Sequence, residues 1–220
     1  VYRDINDIQT YVDYANSLPG GLRISTSKQD SLTYLAAESV YMRGNRTDAE
    51  SAMNRYLQSY PNGAYNSDAH YYLGLVADER NNKEQALSHF RRVIDAGNIK
   101  FLDNALIYTS QTEYQNGNLQ QALADYSRLS NSARNATNKQ IGQLGIVRTQ
   151  SQLGNHHDAV RAATELLTNS SLSAEIITEV RYLRGKAYQQ VNEINSAVAD
   201  FQFVANDTRS IYGAEAQFIL

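Results

Sequence analysis

An alanine returns along this chain at nearly constant distance, at Ala49, Ala86, Ala122, Ala159 and Ala197, with intervals of 36 to 38 residues. It keeps the same company each time. Shortly before it stands a turn former (Gly44, Asn81, Gly117, Gly154 or Asn192), and one helical turn after it stands Met53, Phe90, Tyr126, Ala163 or Phe201. A small residue placed like this between turn signals describes two helices joined tightly, and a period of roughly 35 to 40 residues describes helical hairpins stacked on one another. Such hairpins cannot bury their apolar faces alone, so the array is expected to fold as an all-α solenoid whose function is to hold partners on its surface.

Composition agrees and removes several classes. Hydrophobic residues make up 42% and charged residues 20% of the 220, enough apolar material for a continuous core. Only 2 prolines occur, Pro19 and Pro61, as expected where helices dominate. A net charge of −3 argues against a large phosphate-neutralising face, so nucleic acid is not an expected partner. The absence of cysteine rules out disulfides and thiolate metal sites and leaves the redox compartment open. No stretch is long and apolar enough for a membrane span, and no leader is evident at Val1, which is not a methionine, so compartment stays open on this ground too.

The apolar periodicity predicts a first helix over 4–18, with Ile5, Ile8, Val12, Ala15 and Leu18 on one face, stopped by Pro19, Gly20 and Gly21. Residues 1–29 are thus expected to form a helix and connector that end an upstream repeat. Five repeats follow, at about 30–65, 66–102, 103–139, 140–174 and 175–210. Their helix pairs are expected over 30–43 and 47–60, 67–79 and 83–96, 103–116 and 119–129, 140–153 and 156–167, and 175–191 and 194–205. Asp30 or Ser31 is expected to cap the first, and the polar runs 22–29 and 130–139 to be connectors. Residues 211–220 open a sixth repeat, because Gly213 through Leu220 align with Asn66 through Leu73. A solenoid that stops on Phe218-Ile219-Leu220 lacks a polar cap and is expected to be a fragment of a longer protein, its open end able to associate end to end with a second copy.

Ala69-x-x-x-Leu73-Gly74, the turn at Asn81 and Ala86-x-x-x-Phe90-x-x-Val93 resemble the tetratricopeptide repeat, and Gly185-x-x-Tyr188 with Ala197-x-x-x-Phe201-x-x-Val204 repeats the pattern. The resemblance covers about residues 30–220 and implies a right-handed α-solenoid that binds protein or peptide on its concave side. Small residues at Gly74, Ala86, Gly185 and Ala197 are expected to let paired helices approach, with Phe90 and Phe201 filling the gap to the next hairpin. No repeat carries the family's early tryptophan, and Arg184 stands at a usually aliphatic place, which leaves the register of the fifth repeat open by one residue. The period and the run Tyr60-Pro61-Asn62-Gly63 are similar to bacterial cell-envelope members: outer-membrane assembly lipoproteins, the periplasmic cell-division coordinator and long arrays of Bacteroidetes. That likeness implies an envelope location, periplasmic or outer-membrane associated.

No catalytic, cofactor or metal residue is assigned. His156-His157-Asp158 lies at a helix start, where aspartate suits the positive end of the dipole, and the repeat places no third ligand beside it. His70 reads as a half-buried packing residue, and no glycine-rich phosphate loop follows a strand. Asn-x-Ser/Thr triplets at Asn45, Asn135, Asn169 and Asn206 fall in the asparagine-rich turns.

In the resembled fold the first helices line the groove, so the register assigns Tyr34, Glu38 and Tyr41, then Tyr71 and Asp78, then Ile107, Gln111 and Tyr114, then Leu144 and Arg148, and last Tyr182 and Lys186 to partner binding, with Gln152 and Glu179 among the other solvent-facing positions of the groove. Tyr34, Tyr71, Ile107, Leu144 and Tyr182 share one repeat position. This ladder is either a platform for a peptide, since tyrosine combines area with a polar tip, or a layer that packs neighbouring helices. The expected function is a noncatalytic interaction scaffold, with a structural spacer or a regulatory module attached to another domain as alternatives.

Overall fold

The structure, a computed structural model, describes residues 5–18 and 24–220. Among these residues every regular element is a helix: α1 Ile5–Ser17, α2 Thr26–Met42, α3 Arg46–Ser59, α4 Asn66–Glu79, α5 Lys83–Asp95, α6 Leu102–Gln115, α7 Leu119–Ser132, α8 Ala136–Gln152, α9 His156–Leu166, α10 Ala174–Gln190, α11 Ile194–Ala205 and α12 Ile211–Ile219. The chain separates into two compact units, Val1–Ala105 and Leu106–Leu220, the division falling inside α6.

Within the first unit α2 pairs with α3 and α4 with α5, α3 packs on α4, and α2 also touches α4 directly. The second unit repeats the arrangement: α8 with α9, α10 with α11, each second helix against the following first helix, and direct contacts of α8 with α10 and α10 with α12. First helices therefore form one layer in each unit and second helices another. All five turn formers named from the sequence hold left-handed backbone, with φ of 86° at Gly44, 59° at Asn81, 80° at Gly117, 73° at Gly154 and 63° at Asn192. The next amide closes the helix end: Asn82 N donates to Ala77 O at 2.9 Å and Glu193 N to Tyr188 O at 2.9 Å.

The repeated alanines are each at most 1% exposed. Phe90 and Phe201 are likewise buried, and each sits on the glycine of its own hairpin: a Cβ on Gly74 would lie 2.9 Å from the Phe90 ring, and one on Gly185 2.9 Å from Phe201. Burying each ring contributes about 1.5–3 kcal/mol. The rings thus fill the inside of their own hairpins, and Phe201 lies in one buried cluster with Ala216 of the next first helix. Elsewhere in the second unit Tyr126 of α7 lies against Gly145 of α8, the first helix of the next hairpin, while Gly142 meets the α7 backbone at Tyr126 and Ser130.

The matched seating of Gly185 and Gly74 resolves the register of the fifth repeat. Arg184 is accommodated because Asp200, 2% exposed, receives its Nε at 2.7 Å and Nη2 at 2.8 Å, with Arg181 Nη1 on the same carboxylate at 3.0 Å.

Two helix starts differ from expectation. α2 begins at Thr26, inside the run read as a connector, because Ser25 Oγ accepts from Lys28 N at 3.3 Å and starts the helix early. Asp30 is therefore not a cap. It lies buried within α2, where its carboxylate accepts the Tyr56 hydroxyl at 2.6 Å and the Ala64 amide at 2.8 Å. α8 likewise begins at Ala136, capped by Asn135 Oδ1 on Asn138 N at 2.8 Å, and α7 runs to Ser132, so the polar stretch read as a linker is mostly helix. Both extensions are polar because they are solvated, which conceals them from apolar periodicity. Asp4 and the stop at Pro19, Gly20 and Gly21 lie outside the described residues.

Candidate functional site

In the first unit the residues assigned to binding are largely occupied by neighbours within that unit. Tyr34, 1% exposed, stacks on Tyr65 at 4.6 Å and meets Tyr56 edge-on at 5.7 Å. Its hydroxyl donates to Glu38 Oε1 at 2.8 Å, and Tyr72 donates to the same oxygen at 2.8 Å. Burial, reinforced by those bonds to Glu38, pushes the Tyr34 and Tyr72 phenols up, so both stay protonated as donors. Tyr71 stacks on Phe101 at 3.8 Å and accepts from Asn104 Nδ2 at 3.0 Å. Tyr41 is half-buried against Tyr72, with the Arg46 guanidinium 4.0 Å over its ring. Asp78 pairs with Lys83 at 3.1 Å beside the turn.

The second unit combines buried and open positions. Leu144 and Tyr182 are buried at 8% and 6%, Ile107 and Tyr114 are half-buried, and Gln111, Arg148 and Lys186 are exposed. Tyr182 lies 5.0 Å from Tyr212 and donates its hydroxyl to Glu215; burial, then that bond, pushes the phenol up to about 12. The ladder thus packs at four of its five positions. What a partner can reach lies beside it.

There the first helices enclose a hollow of 380 Å³. Tyr114 comes from α6, Arg148, Ser151 and Gln152 from α8, Glu179 and Leu183 from α10, and Tyr212 from α12. Every lining residue belongs to a first helix. Arg148 Nε donates to Glu179 Oε1 at 2.5 Å and Nη2 to Oε2 at 2.7 Å, a forked pair that raises the guanidinium pKa further.

Of the hollow's residues, sequence reasoning missed Ser151, Leu183 and Tyr212. A signal for Tyr212 is present: each ladder tyrosine has an aromatic 30 or 31 residues later, Tyr65 after Tyr34, Phe101 after Tyr71 and Tyr212 after Tyr182, and all three pairs are in ring contact. These aromatics precede or open the next first helix, where the alanine period does not point.

His70 is half-buried, with its Nδ1 3.0 Å from Nδ1 of His89 across the second hairpin. Burial, then the neighbouring His89, lowers the His70 pKa to about 4. Among the described residues no three or more His, Asp or Glu side chains are placed to hold a metal ion, and no helix is long and apolar enough to cross a membrane.

Comparison with known proteins agrees with the hairpin geometry. Residues 34–98 match the family model described as tetratricopeptide repeat. Two solved structures of MamA are similar, one at 15% identity and a TM-score of 0.54 over 77% of this chain and 92% of that one, the other at 14% and 0.55 over 80% and 90%. A tetratricopeptide repeat protein from Parabacteroides merdae aligns at 13% identity and a TM-score of 0.49, over 98% of this chain and 78% of that chain. At these identities the MamA structures bear on the fold alone, which is the all-α stack of hairpins found here. A comparison with curated proteins gives no match.

Proposed function

We propose, from the premise that residues 34–98 are tetratricopeptide repeat and that the remaining hairpins share its fold, that this chain is a noncatalytic scaffold. It holds an extended peptide or partner segment on the first helices of the second unit. The observation that carries this reading is the hollow between Tyr114, Leu183 and Tyr212: three apolar or amphipathic side chains, brought together from three first helices, with hydroxyl and amide groups of Ser151 and Gln152 at hand. That is the composition of a peptide-anchoring pocket, in which aromatic side chains carry much of the energy.

Selection of displayed random peptides against the chain supplies a ligand, and calorimetry then ranks variants. Tyr114→Ala, Leu183→Ala and Tyr212→Ala are each expected to weaken binding by about fivefold or more. Arg161→Ala, on a second helix and 76% exposed, is expected to leave it unchanged. Equal affinity in all four variants would transfer the function to the spacer reading. An envelope address belongs to the same proposal and rests on the sequence resemblance; cell fractionation tests it, and recovery in the soluble cytoplasmic fraction contradicts it.

A further inference from the structure

Arg148 is the cation of the hollow, and its charge is already answered. The fork to Glu179 at 2.5 and 2.7 Å engages both carboxylate oxygens and one edge of the guanidinium. Glu179 is the covered partner, with 12% of its side chain exposed against 43% for Arg148. An incoming carboxylate that takes that edge has to displace Glu179 and leave it charged and uncompensated in a covered position, which costs more than the exchange returns, and one that takes the Nη1 edge meets a charge that Glu179 has already neutralised. The remaining lining is uncharged: Tyr114, Leu183 and Tyr212 with Ser151 and Gln152. On the same helices Lys186 stands near the Tyr182 ring and Glu215 accepts the Tyr182 hydroxyl.

We infer that Glu179 is the specificity-determining residue of this face: it locks Arg148 away from acidic ligands and leaves the hollow to an uncharged segment that seats an aromatic or aliphatic side chain against Tyr114, Leu183 and Tyr212. The inference deepens the peptide-site reading and rests on it. It is specificity by exclusion, since a single carboxylate cancels the attraction the surface otherwise exerts on acids.

Calorimetric titration of the whole chain with acetylated, amidated octaglutamate at low salt tests it. The wild-type chain is expected to give no binding heat. Glu179→Gln, with Glu179→Ala made alongside as a second way of freeing the guanidinium, is expected to gain octaglutamate affinity of about tenfold or more, the worth of one charge-assisted hydrogen bond. That gain is expected to shrink as sodium chloride is raised, and to vanish in Arg148→Gln/Glu179→Gln. The exchanged pair Arg148→Glu/Glu179→Arg keeps the fork closed and is expected to stay inert; thermal melts by circular dichroism establish that each variant is folded. Wild-type binding of octaglutamate that Arg148→Gln abolishes overturns the inference, as does a folded Glu179 variant that gains no affinity. The peptide-site reading fails separately, when a selected uncharged peptide ignores Tyr114, Leu183 and Tyr212, because the octaglutamate titrations need no selected peptide.

Discussion

Gly74 and Gly185 show why single residues govern this fold. Each lies under a buried phenyl ring with 2.9 Å of clearance for a Cβ, less than van der Waals contact requires. Gly185→Ala is therefore expected to destabilise the chain by about 1–3 kcal/mol through overpacking, despite alanine's better helix propensity. Urea denaturation measures it, and the cost is expected to shrink in a Phe201→Leu background, where the obstructing ring is gone. Full additivity of the two changes would show that the glycine serves some other purpose. The histidine pair gives a pH dependence. With Nδ1 atoms 3.0 Å apart, one ring donates and the other accepts, an arrangement that needs the accepting ring neutral and is lost when both are charged. Burial lowers His89 below its usual range and His70 to about 4, so between pH 6.5 and 4 the unfolded chain binds more protons than the folded one. Stability is expected to fall as pH drops through that window, and the slope to flatten in His70→Gln/His89→Gln. Denaturation midpoints at pH 7.5, 5.5 and 4.5 check this; an unchanged slope in the double variant contradicts it.

Among the elements, helix starts separate residues that the sequence makes look equivalent. Asn45, Asn82, Asn118 and Asn155 occupy one repeat position ahead of the second helices. The first two use their side chains as caps, Asn45 Oδ1 accepting from Asp48 N and Asn82 Oδ1 from Gln85 N, each at 3.2 Å. Asn118 and Asn155 make no such bond; they donate instead to Glu113 Oε2 and Gln150 Oε1, each at 2.8 Å. Alanine at 45 or 82 is expected to cost about 1 kcal/mol, and at 118 or 155 measurably less, by chemical denaturation of the four variants. Equal costs would mean that the loop conformation and not the cap bond decides. The early starts of α2 and α8 carry the same lesson, since Ser25 and Asn135 cap polar turns that hold no apolar stripe.

Across the molecule, the hairpin architecture was legible because close helix approach admits only small side chains, and that demand recurs with each repeat. Ala49, Ala86, Ala122, Ala159 and Ala197 are all essentially without exposure, as their spacing implies. The proposed binding surface was legible only in part. Tyr114 and Arg148 line the hollow, whereas Tyr34, Tyr71 and Tyr182, assigned to binding on the same grounds, are covered. What covers them is a second aromatic, 30 or 31 residues onward, and no property of the tyrosine itself announces that partner. Nor does spacing disclose that Arg148 is closed by Glu179, because the fork depends on the rotation of α8 against α10. Amide NMR of the labelled chain, titrated with a selected peptide, decides whether the first-helix face is the functional surface. Resonances of Ser151, Gln152, Leu183 and Tyr212 are expected to move, while those of α9 and α11 stay in place. Shifts concentrated on α9 and α11, with the hollow silent, would contradict the account.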